Sequence, residues 1–155
     1  MSLSLKILVG TMTGTAELVA EEMLDALEED GHDVSVEPMD DLNASVFAGG
    51  GVFLICTSTY GQGDVPDNAM KLYEDLGSAK PDLSGIRYGV FSLGDRTYAD
   101  TFNFGGKKFD EILSQCGAMR IGEVSYHDAS GGTVPEEDGV EWVRAWIAEA
   151  GAVAA

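Results

Sequence analysis

Residues 10–17 read Gly-Thr-Met-Thr-Gly-Thr-Ala-Glu and join a short apolar run, residues 5–9, to a long helical pattern. The free N–H groups at a helix start, together with the positive end of the helix dipole, favour an anion. Three threonine hydroxyls add donors, and Gly14 lets the backbone come close to a ligand. We interpret this stretch as a phosphate-binding turn, with an ordinary capped helix start as the alternative.

Two common nucleotide motifs are missing from this turn. A nucleotide-triphosphate loop carries Lys and then Ser or Thr after its second glycine, and the dinucleotide fingerprint needs three spaced glycines. Residues 10–17 contain neither pattern, and they contain no Lys or Arg. We therefore expect a single phosphate held by neutral donors.

Five strand patterns alternate with four helical patterns along the chain. The predicted strands are residues 5–9, 33–38, 51–56, 86–93 and 121–126. Apolar residues at helical spacing follow in residues 19–27, 70–76, 109–116 and 140–147. Gly31 is expected to stop the first helix, Asp67 or Asn68 to cap the second, and residues 77–84 to form a linker. This alternation predicts one α/β domain over residues 1–155, with a doubly wound, five-stranded parallel sheet in the order 2-1-3-4-5 and helices on both faces.

Two further polar segments follow predicted strands, as the first turn does. Residues 57–68 come after the third strand and residues 94–103 after the fourth. Ligands of doubly wound sheets bind beyond the carboxyl ends of the strands, so the three segments should converge on one crevice. Tyr60 and Tyr98 could cover the two faces of a flat ring, although each alone could equally pack on its own loop.

The composition excludes some classes of partner. Nine Lys and Arg against 27 Asp and Glu give a net charge of −18, which disfavours nucleic acid and anionic membranes. Such a surface favours a basic protein partner, or it serves solubility alone. No apolar run approaches the roughly 20 residues of a membrane span and no leader pattern precedes the first strand, so we expect a cytoplasmic protein.

The cysteines and histidines predict no metal site. Cys56 and Cys116 have neither CxxC spacing nor a neighbouring ligand histidine. We expect Cys56 in the core and Cys116 as a free thiol. His32 and His127 show no triad or ligand spacing and are expected on the surface.

Three motifs taken together carry a family resemblance. Residues 11–16 (Thr-Met-Thr-Gly-Thr-Ala), 58–64 (Ser-Thr-Tyr-Gly-Gln-Gly-Asp) and 93–98 (Leu-Gly-Asp-Arg-Thr-Tyr) resemble the flavodoxin family in order and spacing. They look most like the stand-alone MioC-like flavoproteins and the flavodoxin domains of diflavin reductases. The resemblance runs from about Leu5 to Ile147 and indicates the short-chain type.

The resemblance implies FMN as the cofactor and one-electron transfer as the activity. It implies that the phosphate is bound by Thr11, Met12, Thr13, Gly14, Thr15 and Ala16. The isoalloxazine ring would be bound by Ser58, Thr59, Tyr60 and Gly61 on one side and by Leu93, Gly94, Asp95, Tyr98, Phe102 and Asn103 on the other. Gly94 and Asp95 could also offer backbone donors to the pyrimidine rim of the flavin.

The favoured hypothesis is a monomeric electron shuttle between a flavodoxin reductase and an acceptor enzyme, both basic where they dock. An NAD(P)H-dependent FMN quinone reductase on the same fold is one alternative. A flavin-free binding module that uses the acidic face is another. No metal and no catalytic residue is predicted, because a shuttle has no substrate chemistry of its own.

Overall fold

The structure is a computed structural model that describes residues 4–10, 14–40, 42–47, 51–58, 67–94, 104–128 and 134–154. Its elements in chain order are β1 (Ser4–Gly10), α1 (Thr15–Glu29), β2 (Asp33–Pro38), a short 3-10 helix (Ala44–Phe47), β3 (Gly51–Ser58), α2 (Asp67–Ala79), β4 (Ile86–Gly94), α3 (Phe104–Gln115), β5 (Met119–Arg120), β6 (Ser125–Asp128) and α4 (Pro135–Ala154).

The strands form one parallel sheet in the order β2-β1-β3-β4-β5, which confirms the predicted topology. The fifth position differs from the prediction of a single strand. It holds two short strands, β5 and β6, which both pair with β4. The break has a local cause, because Gly122 has a φ of 68° and turns the backbone out of the extended conformation. The Arg120 Nε donates to the Gly122 carbonyl at 2.9 Å across this turn.

Alternate strand residues supply two separate cores. Ile7, Leu54 and Phe91 belong to the core beneath α1 and α4. Leu8 and Ile55 point to the opposite face and belong to the core beneath α2 and α3. The central strands are thus covered on both sides, as their almost continuous apolar sequence predicts.

The helix predictions hold in α1 and fall short in α2. Val19, Met23 and Leu27 are fully buried, and Gly31 follows the helix with a φ of 94°. The linker prediction for residues 77–84 is wrong at its start, since α2 continues to Ala79. The Lys80 N–H still donates to the Leu76 carbonyl at 3.1 Å, and the turn ends only where Lys80 adopts a φ of 44°.

None of the helices in the described part of the chain is long and apolar enough to cross a membrane.

Candidate cofactor site

The carboxyl ends of β1, β3, β4 and β6 meet at one edge of the sheet. Gly10 is paired with Thr57, and Thr57 is paired with Ser92. One residue further on, Ser58 is paired with Leu93. The segments 11–13, 59–66 and 95–103 follow β1, β3 and β4 directly, so all three predicted loops begin at the same edge.

Part of the predicted site can be placed in this structure. Ser58 and Gly94 are the last residues of β3 and β4. Leu93 is buried, and it is paired with Ser58 of β3 on one side and with His127 of β6 on the other. Gly14, Thr15 and Ala16 lie at the start of α1. The remaining predicted residues lie outside the described residues: Thr11, Met12, Thr13, Thr59, Tyr60, Gly61, Asp95, Tyr98, Phe102 and Asn103.

The start of α1 has the geometry expected of an anion-binding turn. Gly14 is the residue before the helix and has a φ of 91°, a left-handed conformation that favours glycine. Its carbonyl accepts the Leu18 N–H at 3.1 Å, which closes the first helical turn. The first N–H groups of a helix have no acceptor within the helix and carry its positive dipole end. A phosphate fits this donor set, since the glycine places no side chain in front of the N–H groups.

A cysteine attaches this helix start to the sheet. The Cys56 thiol lies 3.4 Å from the Ala16 carbonyl, to which it donates, and both residues are fully buried. Burial raises the pKa of the Cys56 thiol to about 12, so the sulfur keeps its proton. The prediction that Cys56 belongs to the core is confirmed.

Small residues bring α2 and α3 close to the same edge. A Cβ at Gly10 would lie 2.7 Å from the Thr57 Oγ1 and 3.0 Å from the Ala69 Cβ of α2. A Cβ at Gly106 of α3 would overlap the side chain of Ser92. Both glycines are therefore needed for the close approach of these helices to the strand ends.

The comparisons with known proteins identify the family. The family model described as flavodoxin matches residues 7–142. The chain belongs to the flavodoxin family. Flavodoxins bind FMN and transfer electrons with it, as the resemblance implies.

Individual relatives agree with this assignment. Protein MioC of Escherichia coli O157:H7 is 38% identical over 141 residues, which cover 89% of this chain and 92% of MioC. Human NADPH–cytochrome P450 reductase is 37% identical over 142 residues, which cover 86% of this chain and 20% of the reductase. A solved mutant of flavodoxin from Pseudomonas aeruginosa has a TM-score of 0.85 and 33% identity, over 95% of this chain and 98% of that chain. The predicted likeness to MioC and to a diflavin reductase is confirmed.

Sequence reasoning missed that this flavodoxin buries polar side chains at the site edge. Thr57, Ser92 and His127 are the buried polar residues of the described part of the chain, and all three lie near the carboxyl ends of their strands. Burying a polar group costs free energy unless it is hydrogen-bonded, so such residues concentrate where they have partners. The strand register pairs Thr57 with Ser92 on the face covered by α2 and α3, whereas His127 is paired with Leu93 and faces α4. No local pattern in the sequence could have identified these burials.

The prediction that His127 lies on the surface is wrong. Its side chain is 5% exposed, its Nε2 lies 3.3 Å from the Asp138 Oδ2 of α4, and its ring lies 6.4 Å from that of Phe91. Strand alternation directs His127 to the face that α4 covers. The sequence around it is polar on both sides, so only the packing of α4 reveals the burial.

Proposed function

We propose that the protein is an electron shuttle that holds FMN at the carboxyl edge of β1, β3 and β4 and passes electrons from a reductase to an acceptor protein. The convergence of these strand ends beside a glycine-led helix start carries the proposal. Bound FMN would supply the ability to accept and release electrons one at a time. The protein would supply a binding site, an orientation for the ring and a docking face.

The residues proposed to bind FMN divide between two halves of the ligand. The turn of residues 11–16 would hold the phosphate through neutral donors. Residues 58–61 and the set Leu93, Gly94, Asp95, Tyr98, Phe102 and Asn103 would hold the ring. Tyr60 and Tyr98 suit this role because aromatic side chains stack on a flat heterocycle.

The partners are proposed to be basic proteins. A net charge of −18 attracts a positively charged docking face and raises the rate of encounter.

We also propose that residues 1–155 act as one domain and as a monomer, and that the protein works in the cytoplasm. A single cooperative unfolding transition would test the one domain. Size-exclusion chromatography with light scattering would test the monomer, and cell fractionation would test the location.

FMN binding by the purified protein tests the cofactor site. We expect one FMN per chain, with riboflavin bound more weakly because it lacks the phosphate. Thr13→Ala and Thr15→Ala should each weaken FMN binding by about 1.5 to 3 kcal/mol, the scale of a hydrogen bond to a charged group. Ser114→Ala, which removes an exposed hydroxyl at the end of α3, is the matched control. Equal affinity for riboflavin and FMN would refute the phosphate assignment.

The shuttle and the alternative enzyme respond differently to NADPH. We expect NADPH to reduce the bound flavin only when a flavodoxin reductase is added, as followed by the loss of visible absorbance. Reduction by NADPH alone would instead indicate a quinone reductase. If the purified protein binds no flavin, the remaining hypothesis is the flavin-free binding module that uses the acidic face.

A further inference from the structure

Asn68 connects the start of α2 to the ends of two strands. Its side-chain amide donates to the Val9 carbonyl of β1 at 3.3 Å and lies 3.3 Å from the Asp40 Oδ2, just after β2. The sequence suggests a helix cap at Asp67 or Asn68, but α2 begins at Asp67, so Asn68 lies within the first turn. The side chain therefore has a tertiary role in addition to its place in the helix.

We call the contact of Asn68 with Val9 and Asp40 the junction, and the surrounding contacts leave little space in it. The Val9 carbonyl also accepts the Met39 N–H at 2.9 Å, so one oxygen joins β1, the end of β2 and α2. The next residue of each element is in contact as well, since Gly10 has no room for a Cβ beside Ala69. Two consecutive residues of α2 thus meet two consecutive residues of β1.

The junction adjoins, along the chain, both segments that are proposed to bind FMN. Residues 11–13, which would bind the phosphate, begin immediately after Gly10. Residues 59–66, which include the proposed ring-binding residues Tyr60 and Gly61, end immediately before Asp67. The position of α2 relative to β1 therefore sets the distance between Gly10, where the first segment begins, and Asp67, where the second segment ends.

We propose that Asn68 is a positioning residue that sets the spacing between the phosphate half and the ring half of the FMN site. The proposal rests on the proposed function. A ligand that spans both halves depends on their spacing, because its second half binds at an effective concentration set by geometry. A ligand that occupies one half does not depend on it. FMN spans both halves, whereas riboflavin and inorganic phosphate each report on one.

The test compares the affinities of these three ligands for the apoprotein. For Asn68→Ala we expect FMN to bind about tenfold more weakly, since the amide loses its bonds to the Val9 carbonyl and to the Asp40 carboxylate. Riboflavin and inorganic phosphate should keep their wild-type affinities within about twofold, because each half-site remains intact. Asn43→Ala is the matched control, since the Asn43 Oδ1 accepts the Ser45 N–H at 2.9 Å within its own turn. The control should leave all three affinities unchanged.

A second variant guards against a folding defect. Asn68→Leu keeps nearly the size of the side chain, suits a helix and places no charge beside Asp40, but it cannot donate to the Val9 carbonyl. It should show the same selective loss of FMN affinity. A proportional loss for all three ligands, or unchanged FMN binding in both variants, would overturn the proposal. A wild-type protein that binds no FMN would overturn the proposed function as well, which separates the two failures.

Discussion

Gly14 occupies a backbone conformation that only glycine adopts easily, at the start of the proposed phosphate turn. With a φ of 91°, an alanine there would be strained by about 1 to 2 kcal/mol, although space for its Cβ is open. We expect Gly14→Ala to lower the free energy of unfolding by that amount and to weaken FMN binding as well. Urea unfolding of the apoprotein and FMN titration measure the two effects.

Gly31 provides the matched control for this prediction. It has a φ of 94° and equally open space, but it follows the opposite end of α1. Gly31→Ala should cost similar stability through the same strain and leave FMN affinity unchanged. If both variants weakened FMN binding equally, Gly14 would have no special part in the site.

The two cysteines are predicted to be unreactive in the folded protein. A pKa of about 12 for Cys56 leaves on the order of one thiolate in ten thousand at pH 8. Cys116 is 8% exposed, and burial raises the pKa of its thiol as well. A thiol reagent such as DTNB should therefore label neither cysteine in native buffer at pH 8 and both in urea. Native labelling at the rate of the unfolded chain would contradict the burial of these side chains.

At the scale of elements, a polar cluster attaches α3 to the sheet. The Tyr88 hydroxyl of β4 donates to the Asp110 Oδ1 at 2.6 Å, and the Arg120 guanidinium of β5 donates to the Asp110 Oδ2 at 2.6 Å. Burial raises the pKa of Tyr88, so its hydroxyl remains a donor. Asp110 thus joins α3 to β4 and β5.

Tyr88→Phe tests this attachment. The variant should lower the free energy of unfolding by about 1 to 3 kcal/mol, the range for a hydrogen bond to a charged group, and leave FMN affinity unchanged. Tyr73→Phe is the control, because its ring contact with Phe109, at 5.7 Å between centroids, does not need the hydroxyl. Chemical denaturation of both variants gives the comparison. Equal stability of the two variants would show that the Tyr88 hydroxyl contributes nothing to the attachment.

The element boundaries show how far local patterns extend. The spacing of apolar residues predicts β2 at residues 33–38, as observed. The prediction succeeds because the alternation of apolar and polar residues along a strand follows the alternation of its two faces. The same reasoning ends α2 too early, since Gly77 and Ser78 suggest a break, whereas helical hydrogen bonding continues as far as the Lys80 N–H. It also misses the division of the fifth strand at Gly122, which depends on pairing with β4.

At the scale of the whole molecule, the charge of −18 is predicted to control association with a basic partner. We expect electron transfer from a basic reductase to be fastest at low salt and to slow as the Debye length falls to about 8 Å at physiological ionic strength. Asp64→Asn, Asp67→Asn and Asp100→Asn should weaken this dependence, because these residues belong to or adjoin the proposed flavin segments. Stopped-flow measurements over a range of salt concentrations test the prediction.

Glu28→Gln and Glu29→Gln are the controls, since both residues are exposed at the end of α1 remote from the site. Asp30 is less suitable because it pairs with the Arg144 Nε at 3.1 Å. A flat salt profile, or equal behaviour of both sets of variants, would mean that the acidic residues serve solubility only.

The sequence by itself determined the family, the strand order and the edge at which the site is expected. These conclusions depend on the spacing of apolar residues and on short motifs within single turns. Both kinds of signal lie in residues that are close together in the sequence. The tertiary structure alone revealed the burial of His127, the close approach of α2 at Gly10 and the bond from Asn68 to the Val9 carbonyl. Residues 59 positions apart meet in that bond, and only the packing of α2 against β1 brings them within reach.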